Sequence, residues 1–360
     1  MQKNSESQTL VALKLLIEKQ PEFIPAYQLL AEALQKKEQH QEAIEVLEKG
    51  VTLFPESAEL TKSLIKALHS KDKWLEASIT ARQFTIVYPQ HPESPEFLRI
   101  ADQDLGRFND SLNKKIIGTG ILGGLLGGLT GQGTATALNL APLILQGESG
   151  MGSQLANSQK QQLRLAEEPA VVEYVNTIGK DVAKLMGRNF QYEFYVVQDD
   201  SLNAFALPGG KIFVNTGTIL ACNSEAELAG VIAHEVSHSV LSHGFEKIVN
   251  SILLSNVSQN IPLGDLVSKI AFSQYSQEQE RQADILGARA LANAGYAADG
   301  LHNFMVKLNQ KYGSNQNIFA SHPATTERIS YLEELIVRNG YNRYSYEGVE
   351  KHAAIQKRLR

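Results

Sequence analysis

The stretch Ser224–Gly244, SEAELAGVIAHEVSHSVLSHG, decides how the rest of the chain is read. Its apolar residues recur at three- and four-residue steps, which predicts a helix. Ser224 and Glu227 have capping-box spacing, and Gly244 is the expected C-terminal stop. Inside this helix His234 and His238 stand one turn apart and share a face. At that spacing two imidazole nitrogens reach one Zn²⁺ at about 2.0–2.1 Å. Glu235 sits one step round the helix, where it suits a base acting on water better than a ligand. His243, five residues beyond His238, is expected off the metal face as a structural histidine near the helix end.

Two histidines do not make a catalytic zinc site, which needs three protein ligands and an open position. Residues 275–295, YSQEQERQADILGARALANAG, supply the third. Ser276 and Gln279 have capping-box spacing and Gly295 closes the helix. Glu280 and Asp284 are four apart and face the same way, so Glu280 completes a His–His–Glu set. Asp284 is placed to accept a hydrogen bond from the free ring nitrogen of a ligating histidine and fix its tautomer. Taken alone, Glu278, Glu280, Arg281 and Asp284 would read as a solvated charged face. The histidine helix outweighs that reading.

Residues 191–197, QYEFYVV, alternate like a strand, and 203–217, NAFALPGGKIFVNTG, read as a hairpin turning at Pro208-Gly209-Gly210. With these stretches and SHPATTERI (321–329), residues 150–337 resemble the gluzincin zinc metallopeptidases of family forty-eight. That family includes the HtpX, CAAX prenyl, Oma-type and BepA-like proteases. The resemblance implies an α+β zincin-like metallopeptidase domain over residues 151–337, followed by a C-terminal tail, 338–360. It implies one zinc per chain on His234, His238 and Glu280, with Glu235 as base and Asp284 behind the ligands. Gln277 departs from the arginine usual in the family's motif, which touches only a local contact. His322 is a candidate catalytic residue: it stabilises the oxyanion, or it transiently fills the zinc's fourth position. Its competitor is an ordinary helix start at Pro323. Substrate is expected as an added strand on the 203–215 hairpin, contacting Asn203, Pro208, Gly209 and Gly210 by family analogy.

Upstream, Pro21, Pro55 and Pro89 recur at 34-residue intervals, as do the pairs Leu30/Leu64, Leu34/Leu68, Ala43/Ala77 and Phe54/Tyr88. Helical patterning at that period resembles tetratricopeptide repeats. Tyr27, Leu30, Ala31, Leu34, Ala43, Leu47, Gly50 and Pro55 fall on signature positions, while Thr61 and Ile65 depart from them. The expectation is an all-α helical repeat domain over residues 1–108 that binds protein partners. The alternative is a plain helical array with no ligand. Residues 109–150 form a glycine-rich apolar connector, with no charge from Ile116 to Gly147 and glycines spaced by four. Residues 116–147 read either as a membrane-contacting helix with small-residue faces or, given Gln132 and Pro142, as a linker or a loop over the site.

With 43% apolar residues in 360, the chain can bury more than one core. A net charge of −5 without a basic block argues against nucleic acid. The single cysteine, Cys222, excludes an intramolecular disulfide and a thiolate zinc cluster. The N-terminus MQKNSESQTL lacks a signal-peptide pattern, so the expectation is either no export by that route or a processed form. By resemblance the protein belongs at the cell envelope or a membrane, with the cytoplasm as alternative. The functional expectation is a zinc metalloendopeptidase in protein quality control, its repeats recruiting misfolded clients. The competing class is an interaction scaffold that binds zinc without turnover. Intact Glu235 speaks against the scaffold.

Overall fold

Tyr27, Leu30, Ala31 and Leu34 line one face of helix α2 (Ile24–Lys36) and are buried to within 2%. Each fully buried leucine contributes about 1.5–3 kcal/mol relative to an exposed one. This stripe joins α2 to its neighbours α1 (Gln2–Lys19) and α3 (His40–Leu53). The series continues through α4 (Ala58–His69), α5 (Trp74–Val87) and α6 (Ser94–Gly118), each helix packing on the one before it. Leu47, Leu60, Leu68, Ala77, Phe84 and Phe97 share their core. The computed structural model describes residues 2–118, 146–186, 188–254, 267, 274–312, 322 and 325–359. These helices belong to the first of two compact units, residues 1–119 and 120–360.

The 34-residue interval extends to the backbone. Gln39 N–H donates to Leu34 O at 3.0 Å, and Lys73 N–H to Leu68 O at 3.1 Å. Glu38 and Asp72, at φ 62° and 55°, make the same left-handed turn between helices. Gly50 lets helices approach: a Cβ there would lie 3.1 Å from the Tyr27 ring. Helix α6 runs to Gly118, ten residues past the expected end of this region at 108. The membrane expectation for 116–147 falls largely on 119–145, outside the described residues. No described helix is long and apolar enough to cross a membrane.

The second unit is α+β, with a small sheet. It comprises α7 (Gly147–Gln162), α8 (Pro169–Ala183), β1 (Glu193–Val197), β2 (Ala204–Leu207), β3 (Lys211–Asn215), α9 (Thr216–Ala221) and α10 (Glu225–Val240). There follow α11 (His243–Leu254), α12 (Gln277–Asn293), α13 (Gly300–Tyr312), α14 (Thr326–Arg338) and α15 (Val349–Leu359). The sheet order is β1-β3-β2, with β1 parallel and β2 antiparallel to β3. Gly209 and Gly210, at φ 70° and 83°, make the β2–β3 turn that other residues would strain. Every residue of β3 is buried, because α8 packs on β1 while α10 packs on β2 and β3.

Helix α10 is buried along its whole length, polar residues included. Its closest partner is α12. The contact is tight because Gly287 offers no side chain: a Cβ there would lie 3.2 Å from His234 N and 3.3 Å from Ala233 C. On another side, a Cβ on Gly230 would lie 2.6 Å from Leu301 N of α13.

Several boundaries differ from the sequence reading. Ser224 Oγ accepts from Glu227 N–H at 3.1 Å, but the Glu227 carboxylate turns to Asn223 N–H at 2.8 Å, so only half a capping box forms. Gly244 does not stop α10. The chain breaks at Ser242, held at φ 63° with its hydroxyl donating to Glu148 at 2.6 Å, and Gly244 lies in the first turn of α11. Helix α14 begins at Thr326 under a Thr325 cap, downstream of the expected start at Pro323. Residues 338–360 are not a loose tail. In α15, His352 is fully buried, and Gln356 Nε2 donates to the carbonyls of Leu220 and Cys222, at the end of α9, at 3.1 and 2.7 Å.

Candidate metal centre

His234 and His238 emerge from the buried face of α10 with their Nε2 atoms 3.0 Å apart. Glu280 reaches them from the first turn of α12, where Ser276 and Gln279 form a complete capping box. Its oxygens lie 3.4 Å from His234 Nε2 and 3.6 Å from His238 Nε2. His322 completes the group, its Nδ1 being 3.2 Å from His234 Nε2 and 2.7 Å from Glu280 Oε1. One ligand atom from each of the four lies within 4.8 Å of the others, and all four residues are buried. Unprotonated imidazole nitrogens cannot donate to one another, so such a convergence is stable only around a shared cation or protons.

Charge favours the cation. Burial raises the Glu280 carboxyl, but the Arg328 guanidinium and the two histidines hold it well below the carboxylate range. Burial likewise opposes charge on Asp284, and Arg328 and His234 again bring it down. For His234 burial is outweighed by Asp284 and Glu280, which push its pKa up to about 9. Two anionic carboxylates therefore face the imidazoles. Among the described residues, no hydrogen-bond donor reaches either oxygen of the fully buried Glu235. Burial raises the pKa of this carboxyl. Its Oε1 is 3.3 Å from His322 Nε2. Three imidazoles, a carboxylate and an undonated carboxylate beside them fit a zinc-type site of nitrogen and oxygen donors.

Behind the ligands, Asp284 Oδ1 lies 2.9 Å from His234 Nδ1. Arg328, from α14, grips Asp284 with two hydrogen bonds of 2.8 and 2.7 Å, and its third nitrogen lies 2.6 Å from Glu280 Oε2. Arg328 lies within SHPATTERI but is not among the expected site residues. The signal was there: an arginine at the start of a helix whose other face is apolar. Tyr275 was also passed over. Its ring stacks on His238 at 4.1 Å and 23°, and among the described residues its buried hydroxyl has no hydrogen-bond partner. His243 was expected to point away. The turn at Ser242 swings it back, and its Nδ1 lies 2.9 Å from His238 Nδ1. A cavity of about 270 Å³ opens beside Glu280, lined by Tyr275, Gln277, Arg281, Arg328 and Tyr331 among others.

The residues assigned to substrate divide. Pro208, Gly209 and Gly210 are buried. A Cβ on Gly209 would lie 2.7 Å from Ser149 Cα of α7, and Gly210 N–H donates to Ser239 Oγ at 2.7 Å. The turn is packed beneath α7. Asn203 is also buried, but its Oδ1 has no partner while its carbonyl accepts from Asn215 N–H at 3.0 Å. That bond sets the ladder phase, so the N–H and C=O groups of Ala204 and Ala206 face away from β3. Among the described residues no backbone group takes them.

Residues 169–336 match the family model described as peptidase family M48. The chain carries an M48 domain. The histidine helix α10 and the glutamate helix α12 lie inside that match, as do His322 and Arg328. The M48-bearing chain is similar to the beta-barrel assembly-enhancing protease of Yersinia pestis, 27% identical over 58% of this chain and 50% of the relative. It is similar to the mitochondrial metalloendopeptidase OMA1 of Schizosaccharomyces pombe, 30% identical over 45% of this chain and 52% of the relative. The metalloprotease LoiP of Escherichia coli is 29% identical over 48% of this chain and 74% of its own length. The chain spans about half the length of the first two relatives.

Proposed function

We propose that this protein is a zinc-dependent metalloendopeptidase that hydrolyses protein substrates in quality control. The observation that carries the reading is the convergence of His234, His238, Glu280 and His322 beside an undonated, buried Glu235. His234, His238 and Glu280 would hold the zinc. When bound, the ion supplies Lewis acidity, acidifying water and polarising the scissile carbonyl. Glu235 takes the proton of the attacking water and hands it to the leaving amine, and burial suits it to hold that proton in between. Asp284 holds the ring of His234, while Arg328 holds both carboxylates in place.

Of the two roles open to His322, its position favours shielding. Between Glu235 and Glu280 its ring takes the space that a scissile carbonyl needs. His322→Ala then raises cleavage, whereas an oxyanion role would make it fall by about 10²–10³. Substrate lies extended along the outward groups of Ala204 and Ala206, with Asn203 Oδ1 at one end.

Residues 1–108 act as tetratricopeptide-like repeats that recruit clients, a reading supported by turn hydrogen bonds recurring at 34 residues. The name of one similar protease, the beta-barrel assembly-enhancing protease, supports a place at the cell envelope, and residues 116–147 are the part proposed to meet a membrane. Cleavage of unfolded casein, with zinc content measured alongside, tests the activity. Turnover by the wild type and its loss in Glu235→Gln at equal zinc is expected. Equal zinc and no cleavage by either would leave the scaffold reading in its place.

A further inference from the structure

We infer that His243 is the positioning residue that fixes the tautomer and aim of His238, so that one helix, α12, orients both ligating histidines. This rests on the metal reading above and extends it to a residue outside the ligand set. For His234 the orienting group is Asp284, in direct contact at 2.9 Å. For His238 no carboxylate faces Nδ1; the atom there is His243 Nδ1, at 2.9 Å. Behind it, His243 Nε2 lies 3.0 Å from Gln282 Oε1. Gln282 Nε2 in turn donates to Glu278 Oε1 at 3.2 Å. Gln282 and Asp284 stand on the same helix as Glu280.

The order of protons along this chain follows from donor and acceptor chemistry alone. A carboxylate accepts, so the Gln282 amide nitrogen faces Glu278 and its oxygen faces His243. An amide oxygen only accepts, so His243 carries its proton on Nε2. A neutral ring then has its lone pair on Nδ1, which must receive a proton from the atom opposite, His238 Nδ1. His238 is left with its lone pair on Nε2, the atom that meets His234 Nε2 and Glu280. The reverse order would put a proton on His238 Nε2 and remove it from the ligand set. His243 is therefore the acceptor that makes Nε2 the metal-binding atom. It is 1% exposed, and the left-handed turn at Ser242 is what returns it to the site.

The test compares His243→Leu, His243→Asn and Gln282→Met in the full chain. Zinc affinity is read by competition with a chelating fluorophore and site geometry by the visible spectrum after cobalt(II) substitution. His243→Leu is expected to weaken zinc by ~10–100-fold and to shift the cobalt bands. His243→Asn, whose amide oxygen can take the place of Nδ1, is expected to stay within about threefold of wild type with unshifted bands. Gln282→Met is expected to weaken zinc in the same direction as His243→Leu. Undiminished zinc binding by His243→Leu would overturn the inference, as would equal loss in His243→Asn and His243→Leu at unchanged circular dichroism. If His243→Leu does not fold, unchanged zinc affinity in Gln282→Met overturns it. A wild type that binds no zinc fails the metal reading itself, whereas one zinc in the wild type and all three variants unaffected fails only the role of His243.

Discussion

Glu235 and Glu280 are two buried carboxylates on either side of the His322 ring, yet their other partners differ. Glu280 sits under Arg328 and against two imidazoles, while Glu235 receives no hydrogen bond among the described residues. Replacement should separate them. Glu235→Gln is expected to retain zinc and lose about 10²–10⁴ in turnover, because only the proton carrier is gone. Glu280→Ala and His234→Ala are expected to lose zinc and activity together. Metal content after dialysis against a weak chelator checks the split, and equal zinc loss in all three would refute the roles. Arg328→Ala leaves Asp284 and Glu280 buried without their cation. A loss of about 3–5 kcal/mol in urea unfolding of the chelated protein is expected. Little or no change in the unfolding midpoint would mean that the two carboxylates find other partners.

At the scale of elements, α15 gives a pH-dependent prediction. His352 Nδ1 accepts from the Tyr174 hydroxyl at 2.8 Å, and its Nε2–H donates to Ile219 O at 3.0 Å. Burial holds its pKa below the ordinary 6.5, more than Ile219 O and the nearby Glu225 and Glu227 raise it. The unfolded chain therefore binds the proton more readily than the folded one. The stability contributed is full above about pH 6.5 and is lost as pH falls through the lower folded value. Amide exchange in Val349–Leu359, corrected for its intrinsic rate, should accelerate between pH 7 and pH 5. His352→Gln should flatten that dependence; an unchanged slope would place its cause elsewhere.

The same scale shows what could be read in advance. The spacings His234/His238 and Glu280/Asp284 are local, so helical periodicity alone put each pair on one face. The left-handed glycines of the 208–210 turn were equally legible. The burial of that turn was not, because its cover is α7, some sixty residues upstream and without a distinctive pattern. Arg328 and His352 act across 44 and 133 residues of chain. His243 depended on a single left-handed serine, a conformation for which the sequence carries no glycine or asparagine signal.

For the molecule as a whole, the division at residue 119 separates two cores, and the proposed metal ligands belong to only one of them. Calorimetry is expected to show two transitions. Zinc at 100 times its dissociation constant should add about 2.7 kcal/mol to the one belonging to residues 120–360 and leave the other where it was. A single transition that moves as one with zinc would mean that the two cores unfold together.

Gly287 gives this site its gauge. Where its missing side chain would be, the main chain of α10 passes at 3.2 Å, so the gap between the imidazole-bearing and carboxylate-bearing helices is fixed by backbone that cannot swivel aside. A single methyl added there is a shim of a few tenths of an ångström. The reach between the imidazoles of α10 and the carboxylate of α12 is thereby entrusted to a residue that is not itself among the candidate ligands.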